Sequence, residues 1–218
     1  MKRILILGAG GHAQVVADIL VSGSGSREYR VVGFLDDDTA LQGTEIMGTL
    51  VLGPIDRFAT VEHDGLVVAI GDNQPRARVF DACRARGARF INAIHPTAVV
   101  GSGVRFGEGV MVCAGVLINP HAVIGDDVIL NTGCSIDHHV QIGAHVHIGP
   151  GANLAGTVRV GEGALVGIGA NVVPGRVIGD WSVVGAGAAV VRDIPAHVTA
   201  VGVPARVTVG SRSSEKLS

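Results

Sequence analysis

Apolar residues along the chain follow two rhythms. Up to about residue 93, short apolar runs alternate with helix-like stretches: "ILIL", "HAQVVADIL", "VVGFL", "GLVVAI", "QPRARVFDACRARG" and "RFINAI". Strand-length runs separated by helical periods predict a small α/β domain with a parallel sheet, a Rossmann-like βαβ arrangement. From Val100 every sixth residue is apolar, running from Val100, Phe106 and Val112 through Ile136, Ile142 and Ile148 to Val184 and Val190, sixteen hexads without a slip. Four residues after each stands mostly a small or β-branched residue, as in Val104, Val110, Val116, Ala122, Val128, Cys134 and Val140, with Arg176 the clear exception.

A period of six is neither helical nor plain strand alternation; it marks hexapeptide-repeat β-helices, in which each hexad supplies one short strand and one turn. Both repeating positions are expected to point inward. Glycine and Asn/Asp are expected at the turns. This half is similar to the left-handed parallel β-helix of hexapeptide acyltransferases, where three hexads make one triangular coil. The expected layout is an α/β domain over 1–93, a left-handed β-helix over 94–209 and a tail over 210–218.

Composition narrows the function. With 47% hydrophobic residues, 33 glycines and 3% aromatics, the core is Val, Ile, Leu and Ala, which suits short, tightly turning strands. A formal net charge of −2 and no long Lys/Arg run leave no footprint for nucleic acid or an anionic membrane. Cys83, Cys113 and Cys134 lack CxxC or Cys/His spacing, so buried, reduced thiols in a cytoplasmic protein are expected. The N-terminal "MKRILILGAGG" meets glycine too early for a secretory signal, and no run reaches membrane-spanning length.

Against this background "DHHVQIGAHVH" (Asp137–His147) holds four of the nine histidines. His138 is third in its hexad, His139 and His145 fourth and His147 sixth, so none takes an inward slot; all four are expected at turns or on the outer face. No Cys or carboxylate cluster completes a metal site around His145 and His147. His139 and His145 taken singly read as solvated histidines. His138 and His147 carry the functional expectation, because acyl transfer from a thioester needs a base that titrates near neutrality.

The stretches "ILGAGGHAQVV", "FLDDD" and "LNTGCSIDHHVQIG…HIGPGANLAG" carry a likeness that extends from residue 1 to about 208. The chain resembles the sugar acetyltransferase family that includes sialic acid O-acetyltransferases, the UDP-4-amino-sugar N-acetyltransferase of bacillosamine synthesis and GDP-perosamine N-acetyltransferase. The resemblance implies acetyl-CoA as co-substrate, no metal, and N-acetylation of a nucleotide-linked 4-amino-4,6-dideoxy sugar; O-acetylation of a sialic acid is the alternative. It places the general base on His138, seven residues after Asn131. It also implies that Asn131 and His147 shape the substrate pocket, and that His147, Ala155, Gly156 and Gly167 meet the cofactor, with the Gly156 N–H as oxyanion donor. A homotrimer whose sites draw on two chains, and a role in bacterial surface glycan synthesis, follow from the same likeness. One position departs from the family: relatives usually carry Glu or Asp directly after the base, where this chain has His139. Asp137, just before the base, is one substitute as orienting group; a different group or a weaker base are the others.

Gly8, Gly10 and Gly11 lie between an apolar strand and a helix, where backbone N–H groups can hold phosphate. Gly8-x-Gly10-x-x-Ala13 with acidic residues at 36–38 fits a dinucleotide fingerprint, so an NAD-dependent oxidoreductase is one reading. The family likeness instead gives the loop to a nucleotide-sugar, with His12, Asp36 and Asp37 contacting phosphate, ribose or base. Gly71 and Asn73 are expected to line the same crevice. A non-catalytic nucleotide-binding module on a β-helical stalk is a third reading, kept open by His139.

Overall fold

The computed structural model describes residues 1–22 and 28–208; the expected tail over 210–218 lies outside the described residues. The N-terminal part runs β1 (Lys2–Leu7), α1 (Gly11–Val21), β2 (Tyr29–Leu35), a hairpin of β3 (Glu45–Ile46) and β4 (Thr49–Leu50), a 3-10 turn (Ile55–Thr60), β5 (Gly65–Val68) and α2 (Asn73–Ala85). Strands β2, β1 and β5 form a parallel sheet in that order. Alternate side chains of β1 leave on opposite faces. Ile4 and Ile6 pack with Ala13, Val16 and Leu20 of α1. Leu5 and Leu7 pack with Phe58 and with Phe80 and Cys83 of α2. Covered on both faces, this sheet explains why β1 and β5 read as continuous apolar runs.

As far as Val190 the second part is a parallel β-helix of two-residue strands, each pairing with the strand eighteen residues away: Ser135 faces Leu117 and Asn153, Gln141 faces Val123 and Arg159, His147 faces Ile129 and Leu165; Thr199–Val201 then pairs with Val183–Val184 and, antiparallel, with Arg206–Val207. Three faces of six, five and eight strands result. The ladder begins at Ala93–Ile94, one rung before the first hexad visible in the sequence. From Val112 to Val190 every residue of the first repeating slot is buried, and from Val110 to Ile194 every residue of the second except Arg176. At the first coil, with no coil beneath, Val100 is 41% exposed. Arg176 keeps its carbonyl in the ladder, accepting from Arg159 N–H at 2.9 Å, and sends its guanidinium outward to the Pro174 carbonyl and Asp193. A buried central aliphatic such as Ile148 contributes on the order of 2–5 kcal/mol against alanine.

The corners differ from expectation. One is glycine throughout (Gly115, Gly133, Gly151, Gly169, Gly187), but the other two place His121, His139, Thr157, Asp127, His145 and Trp181 at positive φ, 52° to 64°. Histidine enters this region more readily than branched residues, and the rigid eighteen-residue stack imposes it.

Arg76 of α2 joins the two parts. Its side chain is fully buried, and Nε donates to the Asp127 carbonyl and to Asp127 Oδ2, both at 3.2 Å. Nη2 donates to the His145 carbonyl at 2.7 Å, and Nη1 to the carbonyls of Ile70 and Gly71. Burial draws Arg76 and Asp127 each toward the neutral form, and their contact opposes it; the guanidinium stays charged. The three cysteines are buried and free, with burial pushing Cys113 up to about 11 and Cys134 up to about 12.

Candidate active site

The glycine loop is shaped by its neighbours. Gly8 has φ 106°, and a Cβ there would stand 2.8 Å from the Ala69 carbonyl oxygen. Asp36 ties the loop to the end of β2: its Oδ2 accepts from Ala9 N–H at 2.7 Å and its Oδ1 from Asp38 N–H at 2.9 Å. Asp37 Oδ1 accepts from Ile55 N–H. Gly10 caps α1 without a side chain, and the space about Gly10 and Gly11 is open. Free N–H groups at this helix start therefore face a gap of anion-binding character. Beside it, Asp36 and Asp37 line a cavity of about 780 Å³ with Ile55, Asp56, Arg78 and Arg86.

His147 lies on the eight-stranded face, in the seam with the small domain. Nδ1 is 3.3 Å from the Gly71 carbonyl and Nε2 is 3.0 Å from Asn131 Nδ2. Those partners fix a neutral ring with hydrogen on Nδ1, donating to Gly71 while Nε2 accepts from Asn131. The ring of His12 lies 6.5 Å away, and its Nε2 is buried without a hydrogen-bond partner among the described residues. Burial first, then the Arg76 charge, pulls both histidines down to about 4.

His138 stands on the corner between the six- and five-stranded faces. Its ring covers Gly156: a Cβ there would lie 2.6 Å from Cε1 and from Nε2. Its Nδ1 is 3.2 Å from His139 Nδ1. Asp137 does not hold the ring; its Oδ1 accepts from Asn119 Nδ2 at 2.8 Å and from the main-chain N–H of His138 at 2.7 Å. The Asn119 bond first, then the His138 N–H, lowers the Asp137 pKa. The Gly156 N–H also acts on this carboxylate from the coil after, a smaller contribution in the same direction. Asp137 and Ala155 line a groove of about 490 Å³ along the six-stranded face, between Leu117 and Pro174.

Several expected residues land elsewhere. His145 is not solvated: it is 6% exposed, its Nδ1 is 2.9 Å from Asp127 Oδ2 and its ring meets Phe80 edge-on, because the small domain covers its corner. Asn73 does not line the crevice; it is buried, donates to the Gly163 and Ala164 carbonyls and accepts from Arg76. Gly167 gives its N–H to the Val184 carbonyl and allows coil-to-coil contact, a Cβ there standing 2.7 Å from that oxygen. Ala155 likewise spends its N–H on Val172. Within one chain, His138 and His147 lie on opposite sides of the prism, a corner against the face across from it. Arg76 escaped the sequence reading, although it falls on the buried stripe of α2 with Phe80 and Cys83.

Among the described residues no group of three His, Cys, Asp or Glu can hold a metal ion, and no helix is long and apolar enough to cross a membrane. Among the described residues the sheet has three strands, half of the six-stranded arrangement that binds a dinucleotide across two lobes.

A prism of six-residue rungs with an exposed imidazole at a corner, docked to a small parallel α/β domain with an open glycine loop, defines a hexapeptide-repeat acyltransferase. Residues 3–83 match the PglD N-terminal domain and residues 121–156 the bacterial transferase hexapeptide (six repeats). PerB of Caulobacter crescentus, solved with CoA and GDP-perosamine, shares 43% identity over 96% of this chain and 98% of that one, with a TM-score of 0.88. The acetyltransferase domain of PglB from Neisseria gonorrhoeae, solved with acetyl-coenzyme A, shares 34% identity over 95% of this chain and 99% of that one, TM-score 0.89. UDP-N-acetylbacillosamine N-acetyltransferase of Bacillus subtilis is 38% identical over 116 residues, 52% of each chain, so the match spans about half of that curated relative. The chain belongs to this family of acetyl-CoA-dependent sugar acetyltransferases.

Proposed function

We propose that the protein transfers acetyl from acetyl-CoA to the amino group of a nucleotide-linked 4-amino-4,6-dideoxy sugar. The observation that carries this reading is the His138 corner: an exposed imidazole whose Nδ1 is engaged, whose Nε2 edge lies over bare Gly156, and whose chain neighbour Asp137 lines a groove along the prism. The amine nitrogen attacks the thioester carbonyl while His138 Nε2 accepts the amine proton. The C–N bond forms, the C–S bond breaks, and the proton passes to the departing sulfur. The Gly156 N–H is the donor for the oxyanion. The small domain holds the nucleotide, its phosphates at Gly10–Gly11 and its base and ribose in the cavity beside Asp36 and Asp37. GDP is the first nucleotide to test, because the relative solved with GDP-perosamine is similar over nearly the whole chain.

His138 and the nucleotide loop of one chain lie on different sides of the molecule, which supports a homotrimer in which His138 of one copy serves the loop and His147 of the next. Cytoplasmic glycan synthesis is the setting this substrate fits. The test is CoA release from acetyl-CoA with UDP-, GDP- and dTDP-linked 4-amino sugars and with sialic acid. Release with one nucleotide class, lost about 10²–10⁴-fold in His138→Ala, is the expected result. Release only with sialic acid would move the acceptor to a hydroxyl, and a fully active His138→Ala would remove the base.

A further inference from the structure

The corner that carries His138 recurs every eighteen residues, and its left-handed position is filled by Gly103, His121, His139, Thr157 and Gly175, with φ from 57° to 71°. Glycine suits this backbone best. Two consecutive coils nonetheless place an imidazole there. The rings of His121 and His139 lie 5.2 Å apart at 36°. His121 occupies the space that Gly103 leaves, where a Cβ would meet its Nδ1 at 2.5 Å. His139 then meets His138 edge-on, at 80°, with their Nδ1 atoms 3.2 Å apart.

Two Nδ1 atoms at that distance share one hydrogen. The Nε2 edge of His138 is the one left for substrate, so its Nδ1 donates and His139 Nδ1 accepts. Asp137 cannot take this part, because its carboxylate is turned to Asn119 and to the main chain. We propose that His139 is the positioning residue for His138: it accepts the Nδ1–H, fixes the tautomer that frees Nε2, and is itself braced by the ring of His121. This inference rests on His138 being the base.

A neutral imidazole differs from a carboxylate in two ways. It supplies no negative charge to stabilise the protonated base, and it stops accepting once it is protonated itself. The ionisable groups about the pair are Asp137 on the same corner, His121 on the coil before, and Arg105 in the shared groove of about 400 Å³. The coil after presents Gly156 and Thr157 at the corner, and Arg159 beside Gln141 on the adjoining face.

Steady-state kinetics of His139→Ala, His139→Gln and His139→Glu, with His138→Ala alongside, test the inference between about pH 5.5 and 8.5. In His139→Ala, kcat falls about 10–100-fold with KM unchanged, the scale of a misplaced catalytic group. His139→Gln, whose amide oxygen accepts the same hydrogen and does not titrate, restores most of that loss. His139→Glu moves the acid limb of kcat/KM to higher pH, because an adjacent carboxylate favours the protonated base. Wild-type kcat and acid limb in all three variants, with His138→Ala inactive, would overturn the positioning role and leave the base in place. Loss in Ala without rescue by Gln or movement by Glu would also overturn it, as a structural effect. A fully active His138→Ala would instead remove the reading beneath it.

Discussion

The imidazole of His138 rests on the bare backbone of Gly156, so closely that a Cβ there would stand 2.6 Å from both Cε1 and Nε2. Gly156 is not at positive φ, so alanine fits its backbone and strains nothing but the ring above it. In Gly156→Ala the exposed imidazole moves, at little cost to the fold, and the proposed base leaves its place. The expected outcome is a kcat lowered about 10–100-fold with an unchanged melting temperature. A variant that loses both together would mean the contact serves packing.

Arg76 and Asp127 form an ion pair from which solvent is excluded, both side chains being 0% exposed. Replacing Arg76 by Met leaves the His145 carbonyl without its donor and the Asp127 carboxylate with the His145 ring but no opposing guanidinium. Breaking one side of such a pair costs about 3–5 kcal/mol. Urea unfolding at neutral pH measures it; a loss below about 1 kcal/mol would place the pair with ordinary surface contacts.

His12 and His147 both titrate down to about 4 in the folded chain, by burial and by the Arg76 charge, against 6.5 when unfolded. The unfolded chain therefore binds more protons between those values, and the folded state loses stability as pH falls from about 6.5 to 4, on the order of 3 kcal/mol for each group. Unfolding midpoints at pH 7 and 5 should differ, and His12→Gln with His147→Gln should narrow the difference. Identical pH slopes for parent and variant would show that neither histidine is held neutral.

Gly10 has open space around it and caps α1 with extended backbone, φ −79° and ψ −169°. Asp is accepted at such a cap, yet its charge would stand where a phosphate is proposed to bind. Gly10→Asp is expected to fold normally and to raise KM for the nucleotide-sugar at least about tenfold, a coupling of roughly 1.4 kcal/mol.

Because the proposed site combines His138 of one copy with the loop of another, co-expressing Gly10→Asp with His138→Ala should raise activity at low nucleotide-sugar above that of either variant alone. Random trimers leave about a quarter of the sites intact. No recovery, or a monomer by light scattering at micromolar concentration, would place each site within one chain.

The solenoid was legible because a six-residue period is a steric code: Ile136, Ile142 and Ile148 face inward for the same reason that their repeat is visible. His138 and His139 were correctly placed at a corner. His145 was misplaced, since on a bare prism its slot faces water, and the repeat carries no information about what covers it. Arg76 was missed for the same reason; its partners lie 51 and 69 residues away in another rhythm. The corner residues also departed from simple turn chemistry, because the stack fixes φ before the side chain is chosen: Trp181 at φ 52° is there on the stack's terms.

The eighteen-residue pairing has a consequence for how the molecule is made. Every ladder contact between coils joins neighbours along the ribosome's output, so the prism can grow upward as it emerges, each rung templated by the last. Arg76 is synthesised before any of its partners on the solenoid. The first domain thus presents its guanidinium as a fixed peg, and the rising staircase is set in phase when Asp127 and His145 reach it.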